Sequence, residues 1–282
     1  MPIPSRGFDP TEAAVSWKIL RDAGHTVTFA TPDGAPGAAD PLMLSGEGLD
    51  VWGFIPLLKK IRLIGLTLRA DARGRAAYAQ MIAAPEFRAP RKHVEVRAVE
   101  FDGLLLPGGH AKDMRPYLES RPLQQLVADF FESGKPVAAV CHGVVLAARS
   151  HSRLTGMSVL HGRKTTALTW ALEKTAAGLG RVIRFWDATY YRTYPDPEGQ
   201  PGYMSVQAEV TRALASPADF LDAPKDFRKA SGLFRDSAEN AAPAFVVRDG
   251  NYLSARWPGD VHTFAKTFSG MLNEKAQARG AA

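Results

Sequence analysis

The sequence predicts an α/β fold, a three-layer sandwich in which a mostly parallel sheet is covered by helices on both faces. Two observations support this prediction. Short apolar runs of strand length alternate with longer segments of helical periodicity, which is the pattern of a parallel sheet with helical connections. The chain has 282 residues, 45% of them hydrophobic, and is long enough to bury the core that such a sandwich requires.

The composition excludes several other classes of protein. With 23% charged residues, the bulk of the chain is neither disordered nor a coiled-coil rod. The single cysteine, Cys141, excludes an internal disulfide and a multi-cysteine zinc site, and we expect no metal and no cofactor. The first residues lack the apolar region of a signal peptide, and no apolar run is long enough to span a membrane, so a cytoplasmic location is expected.

The positive charge is concentrated in one segment. The whole chain carries +6, whereas residues 51–97 contain ten Lys or Arg against three Asp or Glu, a balance of +7. Because neither interleaved aromatic residues nor a nucleic-acid motif accompanies these cations, the pattern predicts a solvated basic surface and no nucleic-acid partner.

The first predicted elements are a helix at residues 11–23, which ends before Gly24, and a strand at residues 26–30. Residues 35–97 interrupt the alternation, and we predict that they form an inserted helical cap. Within the cap, apolar residues recur at helical spacing from Phe54 to Leu68 with cations between them. This pattern predicts a basic amphipathic helix that packs over a neighbouring face or another subunit, with a membrane surface as the alternative.

The alternation resumes after the cap. We predict buried strands at 101–106 and 135–140 and helices at 122–133 and 144–150. The later predictions are strands at 164–168, 182–186, 244–247 and 252–255, a loop-rich insertion at 187–242 and a last helix at 260–274. Residues 1–276 would then form one domain, followed by a flexible tail at 277–282.

The segment around Cys141 carries the chemistry. An apolar strand stops at Cys141, and small or apolar residues resume at once as a helix, which is the strand-turn-helix layout of a nucleophile elbow with cysteine in place of serine. The N-terminus of that helix would lower the pKa of the thiol. A buried structural cysteine is the alternative, and the elbow context favours the nucleophile.

A second strand end is predicted beside the elbow. The strand at 101–106 ends in Pro107-Gly108-Gly109, and ligands of an open parallel sheet bind at this edge. Glycine lets the backbone approach a ligand closely, so the N–H groups of Gly109 and His142 are predicted to form an oxyanion hole. His110 is predicted to line the same substrate pocket, together with Gly108.

Two sequence runs resemble a known family. LLLPGGH at residues 104–110, followed by KPVAAVCHG at 135–143, resembles the ThiJ/PfpI superfamily, and so does GFDPTEAAVSWKILRDAGHTVTFATPDG at 7–34. The resemblance implies a class I glutamine amidotransferase-like domain with a flavodoxin-like sandwich. It points to the histidine-bearing branch, which includes glyoxalase III enzymes and heat-shock chaperones reported as deglycases. Frequent dimers in the family imply a homodimer.

The resemblance also implies roles for individual residues. Cys141 matches the family nucleophile, His142 the neighbouring histidine, and Glu12 a glutamate that approaches the sulfur. Because two like charges at short range disfavour each other, the carboxyl of Glu12 is expected to be protonated beside a thiolate. The acid that orients the histidine is left open: Glu173 aligns with it, Asp260 is a competing candidate, and the third alternative is that no acid fills this role.

Three functions are compatible with these residues. The first is a cofactor-free enzyme on small reactive carbonyls that converts methylglyoxal to lactate without glutathione, as the family implies. The second is a cysteine amidase or peptidase, which needs a well-oriented acid for the leaving amine. The third is a stress chaperone or thiol redox sensor without catalysis. The expected partner is thus a small carbonyl or amide substrate.

Overall fold

The structure, a computed structural model, describes residues 1–280 and confirms the mixed α/β fold with mostly parallel strands. Its strands are short and come early, in the middle and late in the chain. They are β1 Arg6–Phe8, β2 Ala30–Thr31, β3 Ala38–Ala39, β4 Arg91–Lys92, β5 Leu104–Leu106, β6 Val137–Val140, β7 Val246–Asp249 and β8 Tyr252–Ala255.

The central sheet has the order β5-β6-β8-β7, in which only the β7–β8 pair is antiparallel. Two further parallel pairs, β1 with β3 and β2 with β4, continue the strand layer, and a bridge between Pro2 and Ala30 lies beside them. Both ends of the segment predicted as a cap therefore join strands of the fold. Because β5 and β6 run parallel, the residues that follow them meet at one edge of the sheet.

Helices cover the strands. They are α1 Pro10–Asp22, α2 Pro41–Ser45, α3 Gly65–Leu68, α4 Ala72–Ala83, α5 Pro85–Arg88, α6 Arg115–Leu118, α7 Arg121–Glu132, α8 Gly143–Arg149, α9 Trp170–Ile183, α10 Val206–Ala213, α11 Phe227–Ala230 and α12 Val261–Gly280. Helices α1, α4 and α12 pack together, and α8 packs against α7 and α10. All four residues of β6 are fully buried, as expected of a central strand covered on both faces.

The continuous amphipathic helix predicted from Phe54 to Leu68 is wrong. The segment consists of turns, a 3-10 helix at Leu58–Lys60 and the short α3 at its end. The buried carboxylate of Asp50 accepts three successive backbone N–H groups, those of residues 63–65, at distances between 2.7 and 3.1 Å. These donors are therefore not available to a helix that continues through the segment.

Other secondary-structure predictions also need correction. The strand predicted at 26–30 is reduced to β2, which begins only at Ala30. Residues 182–186 are not a strand, because α9 continues to Ile183 and a 3-10 helix follows at Phe185–Asp187. The strand predicted at 164–168 is reduced to a single bridge between Thr165 and Phe220. Residues 277–280 continue α12 rather than form a tail, and the rest of the predicted tail lies outside the described residues.

Candidate active site

The strand-turn-helix layout around Cys141 is present in the structure. Strand β6 ends at Val140, α8 begins at Gly143, and Cys141 between them has φ 55°, the one positive φ of a non-glycine residue among those described. Its N–H donates to the Ala255 carbonyl of β8 at 3.1 Å, which helps to hold this backbone conformation. A Cβ on Gly143 would lie 2.2 Å from the carbonyl oxygen of Leu106, so the close approach of α8 to β5 requires glycine.

Helix α1 brings Glu12 to the cysteine. Asp9 caps this helix, and its Oδ1 accepts the N–H of Thr11 at 2.8 Å and that of Glu12 at 3.0 Å. The Asp9 N–H donates in turn to the Gly108 carbonyl at 2.9 Å, so the start of α1 is tied to the loop after β5. Glu12 is fully buried, and its Oε2 accepts the Gly108 N–H at 2.7 Å. The same carboxyl also interacts with the Cys141 thiol.

Burial changes the proton affinities of this pair. It raises the pKa of Glu12 well above its usual range, and the nearby Asp9 carboxylate raises it further. Burial likewise raises the pKa of the Cys141 thiol, with further increases from Glu12 and Asp9, while a hydrogen bond from the His142 N–H opposes them. The expected lowering of the thiol pKa by the helix N-terminus is therefore outweighed. Both shifts favour the neutral forms of the pair, the protonated carboxyl of Glu12 and the thiol of Cys141.

His142 is held by a residue that the sequence did not suggest. The Thr193 hydroxyl donates its single hydrogen to the His110 carbonyl at 2.9 Å. Thr193 Oγ1 also lies 2.8 Å from His142 Nε2, and because the hydroxyl hydrogen is already in use, Nε2 must carry a proton and donate it. Burial lowers the pKa of His142 to about 3, so the imidazole is neutral. Its unprotonated Nδ1 then lies 3.4 Å from Cys141 Sγ, where it can accept the thiol proton.

The position of Thr193 is fixed by a network of cations and aromatic rings. Arg115 Nε donates to the Thr193 carbonyl at 2.7 Å. Tyr194, the next residue, lies between two guanidinium groups, with Arg115 5.0 Å and Arg149 4.7 Å from its ring centroid. On the other side, Arg192 is buried and forms an ion pair with Asp196 at 2.7 Å. The hydroxyl that orients His142 therefore stands on a backbone segment held from both sides.

Neither predicted acid orients His142. Glu173 is buried, but its Oε1 lies 2.8 Å from Arg192 Nε and its Oε2 accepts the Val206 N–H at 2.9 Å. Asp260 is fully buried and forms an ion pair with Arg256 at 2.7 Å. Both carboxylates compensate a buried guanidinium, which a core requires of any buried charge. Among residues 1–280, the side chain that contacts His142 Nε2 is that of Thr193, and the identity of the third member stays a prediction.

His110 lies at the wall of the site. Its ring packs at 4.8 Å against each of two tyrosine rings, those of Tyr190 and Tyr191. Tyr190 donates to Asp40 at 2.7 Å, and His110 Nε2 is 3.9 Å from the same carboxylate. Burial lowers the pKa of His110, and its Nε2 has no hydrogen-bond partner in the described part of the chain. The place of His110 in a substrate pocket stays a prediction.

The glycine loop lies where the oxyanion hole was predicted. A Cβ on Gly108 would come within 2.6 Å of the His142 nitrogen, so the two backbones face each other closely. The Gly108 N–H is taken by Glu12, whereas no oxygen within residues 1–280 accepts the Gly109 N–H. The Gly109 N–H thus remains a candidate donor to a substrate oxyanion. The His142 N–H donates to the Cys141 thiol in this state, and its part in an oxyanion hole stays a prediction.

The described residues form neither a metal-binding cluster nor a membrane-spanning helix. Within residues 1–280, no group of three or more His, Cys, Asp or Glu side chains is arranged to hold a metal ion. Across the same residues, no helix is both long enough and apolar enough to pass through a bilayer.

Curated proteins named deglycases are similar to parts of this chain. The chain is 38% identical over 178 residues to a deglycase of Pyrococcus abyssi, covering 63% of this chain and 66% of that protein. It is 45% identical over 75 residues to protein/nucleic acid deglycase 2 of Escherichia coli, covering 26% of this chain and 38% of the relative. The matches thus span between about a third and two thirds of these relatives.

A solved structure shows the same fold over nearly the whole chain. The crystal structure of glyoxalase III from Candida albicans superposes with a TM-score of 0.57 at 15% identity, covering 96% of this chain and 95% of that one. The model of the family described as ThiJ/PfpI family-like matches residues 3–200. Because this match spans well over half of the sequence, the protein belongs to the ThiJ/PfpI-like family.

Proposed function

We propose that the protein is a cysteine-dependent enzyme that acts on small reactive carbonyls and converts methylglyoxal to lactate without glutathione. The observation that carries this proposal is the arrangement of two side chains, those of His142 and Glu12, around the sulfur of Cys141. His142 Nδ1 lies 3.4 Å from Cys141 Sγ with its lone pair available, and the Glu12 carboxyl interacts with the same thiol. A thiol, an adjacent neutral base and a protonated acid are what proton transfer between neighbouring carbons requires.

The first steps follow from these positions. The sulfur attacks the aldehyde carbon as the thiol proton passes to His142 Nδ1, so the thiol need not ionise beforehand despite its raised pKa. The carbonyl oxygen takes this proton from His142 and becomes the hydroxyl of a hemithioacetal, which leaves His142 neutral for the next step. The N–H groups of Gly109 and His142 stabilise the charge that develops on this oxygen.

The later steps move one proton and add water. His142 removes the hydrogen from the former aldehyde carbon to give an enediol, and a proton is returned to the neighbouring carbon, with Glu12 assisting. The product is a thioester of lactate on Cys141. Water then hydrolyses the thioester, releases lactate and restores the thiol, so the balance is methylglyoxal plus water to lactate.

Two sets of relatives support this proposal. The curated relatives named deglycases and the glyoxalase III that shares the fold act, by their names, within the chemistry of reactive carbonyls and their adducts. Amide hydrolysis has less support, because a leaving amine needs an imidazolium stabilised by an acid. The hydroxyl of Thr193 supplies no negative charge to His142.

The test is lactate formation from methylglyoxal in the absence of glutathione. Wild type should turn over, and Cys141→Ser, Glu12→Gln and His142→Gln should each lose at least about a hundredfold in kcat/KM, as expected for an essential nucleophile or proton-transfer group. His161→Gln, which changes an exposed histidine, should keep the wild-type rate. If wild type is inactive or Cys141→Ser retains full activity, the proposal fails, and amide hydrolysis and thiol oxidation are the next reactions to assay.

A further inference from the structure

Exposed apolar side chains are concentrated in one segment of the chain. Of nineteen large hydrophobic residues that are exposed in the described structure, seven lie between residues 51 and 66. Leu57 is 86% exposed, Leu63 64% and Phe54 52%. Scattered single hydrophobic residues are normal on a surface, but such a density within sixteen residues marks an interaction surface.

This segment is a structured loop rather than a loose one. The Asp50 carboxylate holds three backbone N–H groups at the far end of the loop, as described above. Trp52 Nε1 donates to the Ile61 carbonyl at 2.8 Å and links the two arms. Phe54 packs against the rings of Phe185 and Trp186 at 5.4 and 5.2 Å, so the loop rests on the chain that follows α9. We call residues 51–63 the basic loop.

The charged residues within this segment all have one sign. Residues 51–70 contain Lys59, Lys60, Arg62 and Arg69 and no Asp or Glu. No ion-pair partner lies within 4 Å of any of these four cations in residues 1–280. The acids at the two ends, Asp50 and Asp71, use their carboxylates to accept backbone N–H groups. The surface therefore combines exposed apolar side chains with uncompensated positive charge.

The exposed apolar side chains and the positive charge favour an anionic bilayer over a second copy of the chain as the partner of this surface. In a symmetric dimer through the basic loop, the three cations of the loop in each copy would face those of the other copy, and like charges across an interface are unfavourable. A bilayer with anionic headgroups offers negative charge to Lys59 and Lys60 and an apolar layer to Leu57 and Phe54. Basic and apolar side chains side by side are the pattern of proteins that lie on such a surface without crossing it.

We propose that the basic loop binds the protein to the surface of anionic lipid bilayers. Its exposed leucines and Phe54 enter the boundary between headgroups and acyl chains, and Lys59 and Lys60 contact the anionic headgroups. The loop contains none of the candidate active-site residues, so this binding is independent of the proposed reaction.

The experiment is co-sedimentation of the full chain with vesicles. One set of vesicles is phosphatidylcholine alone, and the other contains phosphatidylglycerol as well. We expect binding to the anionic vesicles that weakens as salt is added, and little binding to the neutral ones. The variants Lys59→Glu/Lys60→Glu and Leu57→Ser should each weaken the partition coefficient at least about tenfold.

Matched control variants distinguish binding through the basic loop from the effects of net charge and of exposed hydrophobic residues elsewhere on the protein. Arg121→Glu/Lys225→Glu changes two exposed cations elsewhere by the same total charge, and Leu154→Ser removes an 83% exposed leucine elsewhere. Both should bind like wild type. The proposal is overturned if wild type does not bind anionic vesicles, if it binds neutral ones equally well, or if the control and loop variants lose binding equally. It is also overturned if Leu57→Ser converts a dimer to a monomer in light scattering while vesicle binding is absent.

Discussion

Replacing Thr193 by valine tests the assignment of His142 as a base with a fixed tautomer. Valine keeps the shape of the side chain and removes the hydroxyl, which makes hydrogen bonds of 2.8 Å to His142 and 2.9 Å to the His110 carbonyl. The buried Nε2–H of His142 then loses its partner. The imidazole can relieve this by moving its proton to Nδ1, but Nδ1 can then no longer accept the thiol proton of Cys141.

The size of the effect follows from the cost of an unsatisfied buried donor. That cost is about 1–3 kcal/mol, and the same free energy added to the barrier lowers the rate roughly 5- to 150-fold. We therefore expect kcat/KM of Thr193→Val for methylglyoxal to fall by about one to two orders of magnitude. Thr193→Ser, which keeps the hydroxyl, should recover most of the activity.

The nitrogen chemical shifts of the His142 imidazole distinguish a positioning role from a merely structural one. In wild type we expect Nε2 to be protonated and Nδ1 unprotonated, and in Thr193→Val a mixture of tautomers. Thr175→Val is a matched control, because it removes a hydroxyl that only donates to the Ala171 carbonyl within α9. The reasoning is refuted if Thr193→Val keeps its rate within about twofold of wild type, with unchanged imidazole shifts.

Three further predictions concern the backbone of the site and the response of the fold to acid. Gly108→Ala should abolish activity and lower the melting temperature, because the new Cβ would lie 2.6 Å from the His142 nitrogen. The control Gly178→Ala in α9 should raise the melting temperature, because no heavy atom lies within 4 Å of the added Cβ and alanine favours the helix. Cys141→Gly should unfold at no lower temperature than Cys141→Ala, since glycine adopts φ 55° without strain; a clearly less stable glycine variant would contradict this. Burial lowers the pKa of His93 from 6.5 to about 4, so between these pH values the unfolded chain binds a proton at this residue that the folded protein does not. The free energy of unfolding of wild type should therefore fall by roughly 1.4 kcal/mol per pH unit as the pH decreases from 6.5 to 4. In urea unfolding, His93→Gln should not show this decrease in the free energy of unfolding. If the free energies of the two proteins depend on pH in the same way, the prediction is wrong.

The elements that the sequence predicts well are those that depend on local pattern. Strands β5 and β6 are short apolar runs, each ended by small residues, and the elbow at Cys141 follows from a strand that passes into a helix without a linker. The proximity of Glu12 to the sulfur was predicted from the family resemblance. It agrees with the structure because the Asp9 cap and the glycine loop hold the start of α1 against β5.

The features that were missed depend on distant contacts. Thr193 is 51 residues from His142, in a segment whose composition indicated only loops, and the cluster Tyr190-Tyr191-Arg192-Thr193-Tyr194 was the one sign that this loop is packed. The sequence alone could not show that Glu173 forms an ion pair rather than acting as a catalytic acid. Its partner Arg192 is 19 residues away, and no helical or strand periodicity relates the two positions. The Phe54–Leu68 prediction failed for a related reason: periodicity does not reveal that Asp50 takes the backbone donors.

The single cysteine of this chain also determines how the site can fail under oxidation. Cys141 is the only sulfhydryl in the sequence and is buried with 5% of its surface exposed. A sulfenic acid formed there has no second cysteine in the chain with which to condense, so it cannot be captured as an intramolecular disulfide. Recovery then requires a thiol from outside that is small enough to reach the buried sulfur. Without one, each further oxidation of the sulfur permanently removes one active site.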